Sequence, residues 1–202
     1  LIYASYMKPT PEANRAVVWD KGPDAPPPSG ERKRPNIVVI LADDLGFNDV
    51  SFYGGGTAGG VVKTPNIDSI GRDGVNFPAG YAGNATCAPS RAALMTGRYA
   101  TRFGYEFTPT ALGFQRLVGG HQGASPYPPI YHAEREAEVP DFRELGIPAG
   151  EVTIAAMLQK AGYHTVHLGK WHLGENEAQR PDKRGFDESL GFYAGASMFL
   201  RE

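Results

Sequence analysis

The longest apolar run in the chain lies at 36–42 (NIVVILA), and β-branched side chains dominate it. A run that is apolar on both faces predicts a central strand of a parallel sheet covered by helices. It ends in Asp43-Asp44. Residues 64–74 (TPNIDSIGRDG) predict a short helix, with Thr64 as N-cap, Pro65 at the first helical position and Gly74 as the stop. Residues 75–77 predict a brief strand. Residues 87–96 (CAPSRAALMT) predict a helix with Pro89 near its start and Gly97 past its end. Residues 153–161 (TIAAMLQKA) predict an amphipathic helix stopped by Gly162, and 164–168 (HTVHL) a second parallel-type strand. Another unit opens at 185–192. Strand, helix and strand in that order argue an α/β fold.

Elsewhere the pattern breaks down. From 108 to 150 the chain is irregular, with Gly119-Gly120, Pro126, Pro128-Pro129 and Pro140, and reads as a long loop, a functional excursion or an insertion. Residues 21–34 (KGPDAPPPSGERKR) have a linker composition. The organisation is therefore a peripheral 1–34 followed by a domain at 35–202. Abundant glycine (26) and proline (17) fit many loops and short elements. The formal net charge of −2 gives no reason to expect nucleic acid or an acidic membrane surface as a partner. No apolar run reaches the roughly 18 residues of a membrane span. A single cysteine, Cys87, excludes an internal disulfide. The chain begins with Leu1, and its first residues lack the order of a signal peptide, so the start reads as a truncation or a processing site.

Three places carry candidate chemistry. Asp43 and Asp44 follow the first strand at its carboxyl end, where open α/β sheets bind ligands. Adjacent, partly buried carboxylates repel and call for a cation, and oxygen ligands favour Ca²⁺ or Mg²⁺. The pair equally fits a solvated turn. Cys87-Ala88-Pro89-Ser90-Arg91 opens a helix, whose free N–H groups favour an anionic group, and Arg91 offers a forked donor one turn on. A buried structural cysteine is the bland alternative. Lys170 and His172 follow the strand HTVHL, and alternation puts both on one side if the strand continues. Such a pair suits an anionic substrate and proton transfer. His164 and His167 read as packing or capping residues.

IVVILADDLG, CAPSRAALMTGR and GKWHLG, in this order, resemble the three leading signatures of the type I sulfatases, and PDKRGFDESLGF resembles the segment that follows them. The resemblance covers roughly 34–202. It implies an alkaline-phosphatase-like α/β fold, a mostly parallel sheet flanked by helices on both faces, present here incompletely. It implies a sulfuric ester hydrolase in which Cys87 is oxidised to formylglycine, whose hydrated aldehyde is the nucleophile. Asp43, Asp44 and the formylglycine from Cys87 match the metal ligands of the family, and the metal is usually Ca²⁺. Arg91 matches the residue that holds the formylglycine hydroxyl. Lys170 matches the cation that bridges formylglycine and sulfate, and His172 the base for elimination. Pro89 and Ser90 match the sequence read by the formylglycine-generating enzyme, a maturation partner. Ser197 falls about where some members contact sulfate.

The implied substrate is a small sulfate ester or a sulfated carbohydrate, and the family's usual compartments are periplasmic, secreted or lysosomal. Family members carry further metal ligands and a later His and Lys, and nothing after 174 matches them. The chain thus reads as part of a longer enzyme, inactive by itself. The rival readings are a formylglycine-dependent phosphonate monoester or phosphodiester hydrolase, and an inactive anion-binding product. The sequon Asn84-Ala85-Thr86 reads as fortuitous, because a glycan there would block the pocket. Tyr105, Tyr127 and Tyr131 are expected to pack their own loop more readily than to stack on a substrate ring.

Overall fold

The computed structural model of the chain describes residues 34–120, 127–128 and 130–197. The linker composition of 21–33, and Pro126 and Pro129, lie outside the described residues.

The predicted helices form where the stop and start signals put them. After a short turn of helix, α1 (Thr57–Gly60), α2 spans Pro65–Asp73 with Thr64 as N-cap and Gly74 as C-cap. The Thr64 hydroxyl donates to Asp68 one turn on, at 2.7 Å, and Ser51 donates to the same carboxylate, so the start of α2 is tied to the turn before it. α3 spans Cys87–Thr96 and ends at Gly97, whose φ of 66° is a left-handed cap open to glycine at little cost. α4 spans Leu112–Gly119. α5 spans Ile154–Lys160, and the Thr153 hydroxyl accepts from Ala156 N at 3.1 Å, a side-chain cap.

Two parallel strands follow. β1 (Val166–Lys170) pairs with β2 (Glu188–Phe192) from Val166 opposite Glu188 to Lys170 opposite Phe192. The ladder runs on past β1, with Trp171 N donating to Phe192 O and His172 N to Tyr193 O. The core lies beside this pair. Trp171, Ile147 and Leu173 are fully buried against Ala88 and Ala92 of α3, Ala100 and Tyr105. The Trp171 indole N–H is satisfied by Gln179 O at 2.9 Å. The small side chains on the inner face of α3 let this helix sit close to the strand end, where Arg91 reaches the Lys170 carbonyl. Among the described residues, no helix is long and apolar enough to cross a membrane.

Three expectations are corrected. Residues 36–42 form no strand: they carry no ladder hydrogen bonds, and Val38 and Ile40 are 81 % and 83 % exposed. Period-2 alternation survives, because Ile37, Val39, Leu41 and Asp43 all line one cavity. A strand requires a hydrogen-bonding neighbour, and among the described residues β1 and β2 pair only with each other. Residues 75–77 likewise form no strand, and Val75 and Phe77 are exposed. The irregular 108–150 region contains α4 and two 3₁₀ turns, Ala133–Glu138 and Phe142–Glu144. Gly119 ends α4 because the Tyr131 ring lies where its Cβ would be, at 2.8 Å.

The start of α5 and the approach to β2 are packed without slack. Thr153 donates to Arg184 O at 2.6 Å, and the buried Arg184 guanidinium donates to the carbonyls of Pro148 and Glu151. Gly185 has φ 98°, and a Cβ there would lie 2.2 Å from Ala156 N. Gly185→Ala is therefore expected to destabilise the fold by about 3 kcal/mol or more, since both the dihedral and the helix backbone must shift. The denaturation midpoint checks this; a midpoint within experimental error of the unsubstituted protein would contradict it.

Candidate functional site

Asp43 is the hub of one side of the site. Its Oδ1 accepts from Arg91 Nη2 at 2.9 Å, and its Oδ2 accepts from Lys170 Nζ at 2.8 Å. Arg91 also donates through Nη1 to the backbone carbonyl of Lys170 at 2.7 Å. The three residues come from the end of the apolar run, from α3 one turn past Cys87, and from the last position of β1. Both cationic side chains are nearly buried, at 12 % and 10 % exposed, while Asp43 remains more open. The Lys170 hydrogen bond, with that of Arg91, holds the Asp43 carboxyl below its ordinary range. Asp44 and Ser197 line the same cavity of about 830 Å³. Asp44 has φ 56°, a left-handed conformation that turns the chain directly after Asp43.

Cys87 stands at the first position of α3, half-buried, and its Sγ lies 3.7 Å from Thr108 Oγ1. It lines a second cavity, of about 410 Å³, together with His172, Tyr105 and Thr108. Gly195 and Ala196 line both cavities. Asn84 Oδ1 accepts from Thr86 N and Thr86 Oγ1, each at 2.9 Å, so the sequon's amide is folded into the turn that opens α3.

His172 departs from simple alternation. β1 ends at Lys170, and His172 has φ 59°. The left-handed residue breaks the period of 2, so Lys170 faces the first cavity and His172 the second. The ring is buried, and its Nδ1 has no hydrogen-bond partner among the described residues. Gly195 lies against the ring, so close that a Cβ there would be 2.8 Å from Cε1 and Nε2. Burial, with the nearby Lys170 and Arg91 charges, pushes the imidazole down to about 4, while Asp43 opposes this. His172 is therefore neutral at neutral pH.

A stability consequence follows. Between the ordinary histidine value and about 4, the unfolded chain binds a proton at His172 that the folded chain does not, so stability rises with pH across that window. It is expected to fall as pH drops from about 6.5 toward 4, and His172→Gln should remove part of that slope, with the His167 imidazole, also pushed down by burial, contributing the rest in the same sense. Denaturant midpoints measured across this range are the check; a slope unchanged in the variant would contradict it.

The remaining expected residues fall as follows. Ala88 and Pro89 are buried in the core side of α3, and Ser90 is half-buried. His164 lies before β1 and is exposed, its Nε2 pairing with Glu188 at 2.7 Å, while His167 packs edge-on against Trp171 and Phe186. Tyr105 is buried, its hydroxyl donating to His172 O at 3.4 Å, and burial pushes that hydroxyl up. Tyr131 bonds Glu136, while Tyr127 is exposed. Thr108 and Gly195 were not foreseen. Neither carries a motif; their roles come only from the contacts they make.

Among the described residues, no group of three or more His, Cys, Asp and Glu side chains stands arranged to hold a metal ion, so Asp43, Asp44 and Cys87 do not form one. The donors present still suit a hard cation in kind. Asp43 is ionised and already balances two positive charges, and Asp44 adds a second carboxylate beside it. In number they fall short of the roughly six to eight oxygens that Ca²⁺ takes.

A profile of the family described as Sulfatase matches residues 35–201. N-acetylgalactosamine-6-sulfatase of Rattus norvegicus is 38 % identical over 163 residues, 81 % of this chain and 26 % of that protein. Arylsulfatase G of Rattus norvegicus is 36 % identical over 167 residues, 81 % of this chain and 25 % of that protein. The crystal structure of Ps i-CgsB in complex with k-i-k-neocarrahexaose is similar with a TM-score of 0.60 at 35 % identity, covering 81 % of this chain and 29 % of that one. The chain thus spans about a quarter of the length of the curated relatives it matches.

Proposed function

Because the chain belongs to the sulfatase family and has its alkaline-phosphatase-like α/β fold, we propose that the protein carrying it is a sulfuric ester hydrolase whose nucleophile is a formylglycine made from Cys87. The observation that supports this most is the meeting of Arg91 and Lys170 on Asp43, with Arg91 on the same helix as Cys87, one turn further along α3. Two cations drawn from parts of the chain far apart in sequence suit the oxygens of a tetrahedral anion.

The formylglycine supplies a pair of hydroxyls on one carbon, so that one can take the sulfo group and the other can release it. If a divalent ion such as Ca²⁺ binds here, the Asp43 and Asp44 carboxylates are the groups that would hold it, and it would supply positive charge toward an anionic substrate. The residues of the chain do the rest. Arg91 and Lys170 orient the sulfate by charge-assisted hydrogen bonds. His172, which lines the cavity beside Cys87, is the residue proposed to accept the proton when sulfate is released. Ser197 lines the anion side and offers a hydroxyl to a sulfate oxygen. Pro89 and Ser90 are read, with Cys87, by a maturation enzyme.

The relatives' names point to sulfated carbohydrates as the substrate class, and N-acetylgalactosamine 6-sulfate is the first ester to try. The protein carrying this chain, co-produced with a formylglycine-generating enzyme, should hydrolyse that sugar sulfate or p-nitrophenyl sulfate. Its Cys87 peptide should be lighter than the thiol form. The 202-residue chain alone should not turn over, having two carboxylates for the metal. Faster cleavage of a phenyl phosphonate than of either sulfate would replace this reading with that of a phosphonate hydrolase.

A further inference from the structure

Cys87 opens on the 410 Å³ cavity, while Arg91 and Lys170 line the 830 Å³ cavity with Asp43. The cations that suit the sulfate oxygens therefore lie on one side of the site. On the side where Cys87 opens stand the His172 ring and the Thr108 hydroxyl, whose oxygen is 3.7 Å from Cys87 Sγ.

Thr108 is held in place from both directions. Three residues before it, Tyr105 is buried in the core, and its hydroxyl donates to His172 O at 3.4 Å. Directly after it, Pro109 restricts the Thr108 backbone to extended conformations. Two residues on, Thr110 O accepts from Gln115 Nε2 of α4 at 2.8 Å. One short segment thus reaches both the backbone of His172 and the side chain of Cys87. Thr108 is half-buried, and its β-branched side chain has few rotamers, so the direction of its hydroxyl is largely preset.

A cysteine carries one sulfur on its β-carbon, and the hydrated formylglycine carries two hydroxyls there. Their work differs, since one takes the sulfo group and the other releases it. A hydroxyl at the position of the sulfur faces Thr108 Oγ1 and shares its cavity with His172, not with the cations. That place suits the releasing hydroxyl. In the release step its proton passes to His172, its oxygen closes the aldehyde double bond, and the other carbon–oxygen bond breaks to free sulfate. The oxygen gains negative charge as its proton leaves, so a donor aimed at it strengthens during the step.

Resting on the sulfate-ester reading above, we propose that Thr108 is a catalytic residue of sulfate release, its hydroxyl donating to the releasing oxygen at the Cys87 position and leaving that oxygen's proton free for His172.

The test uses the matured protein carrying this chain. Thr108→Val keeps the shape of the side chain and removes the hydroxyl; Thr108→Ser keeps the hydroxyl. The probe is p-nitrophenyl sulfate. Peptide mass gives the formylglycine content of each variant, and rates are expressed per formylglycine. In Thr108→Val we expect kcat to fall about fivefold, the worth of one hydrogen bond. Because release is the slowed step, the initial burst of p-nitrophenol should grow toward the formylglycine content, and rapidly quenched protein should carry a retained sulfo group by mass. Thr108→Ser should show less of both effects. A fall explained wholly by lower formylglycine content overturns the proposal, and so does a slower enzyme with neither burst nor retained sulfo group. Equal losses in both variants at an unchanged melting temperature would assign the effect to packing and also overturn it. If the unsubstituted enzyme cleaves no sulfate ester, the sulfate-ester reading itself falls and takes this inference with it.

Discussion

Replacing Cys87 by alanine is expected to lower sulfate-ester turnover by about 10⁴-fold or more, with little change in stability. The two effects separate because of where the residue sits. Cys87 occupies the first position of α3, half-buried, and its side chain's hydrogen-bonding contact is the long 3.7 Å approach to Thr108. Alanine is a good helix former, so the helix survives. What is lost is the atom from which the nucleophile is made. Cys87→Ser separates the chemistry further. A serine hydroxyl can take a sulfo group, but its carbon carries no second hydroxyl to expel sulfate. The variant should therefore retain the group after one turnover. Mass measurement of the Cys87 peptide after exposure to substrate, alongside the turnover rate, checks both. Continued turnover in Cys87→Ala would remove Cys87 from the chemistry.

Lys170→Ala should cost kcat/KM about 10²- to 10³-fold and should also change its pH dependence. Lys170 Nζ sits 2.8 Å from Asp43 and is nearly buried, so its charge bears on the site with little screening by water. Its hydrogen bond is the largest influence holding the Asp43 carboxyl low. Without it, the carboxyl titrates at higher pH. Catalysis needs Asp43 ionised, so activity should begin to fall at a higher pH as solutions are made acidic. Arg91 remains on the other oxygen and limits the shift. A rate–pH profile of the variant shows this directly. An acid limb left in place, with kcat/KM reduced, would mean that Lys170 acts on substrate alone and not through Asp43.

Local signals were legible wherever the chain's own chemistry closes an element. Thr64 and Pro65 start α2, Gly97 ends α3 in a left-handed cap, and Thr153 caps α5 with its hydroxyl. Each depends on residues within one turn, so no knowledge of the fold is needed. α4 escaped notice because Gly119-Gly120 and the prolines that follow read as loop residues. What makes a glycine suitable at its end is the ring of Tyr131, twelve residues away. The apolar run at 36–42 shows the opposite failure. Its composition suits a buried strand, but pairing and burial are supplied by other segments, and among the described residues none pairs with it.

The site divides along the same line. The candidate groups, Asp43, Asp44, Cys87, Arg91, Lys170 and His172, were named from short local motifs, which give residue type and order along the chain. The charge balance among them was decided by tertiary structure. That Arg91 and Lys170 share Asp43, that His172 turns at positive φ away from Lys170, and that burial keeps its ring neutral are consequences of α3 packing against the end of β1. A linear sequence specifies which atoms exist. Their pKa values and the cavities they face depend on distances across the chain, and only the packed fold sets those distances.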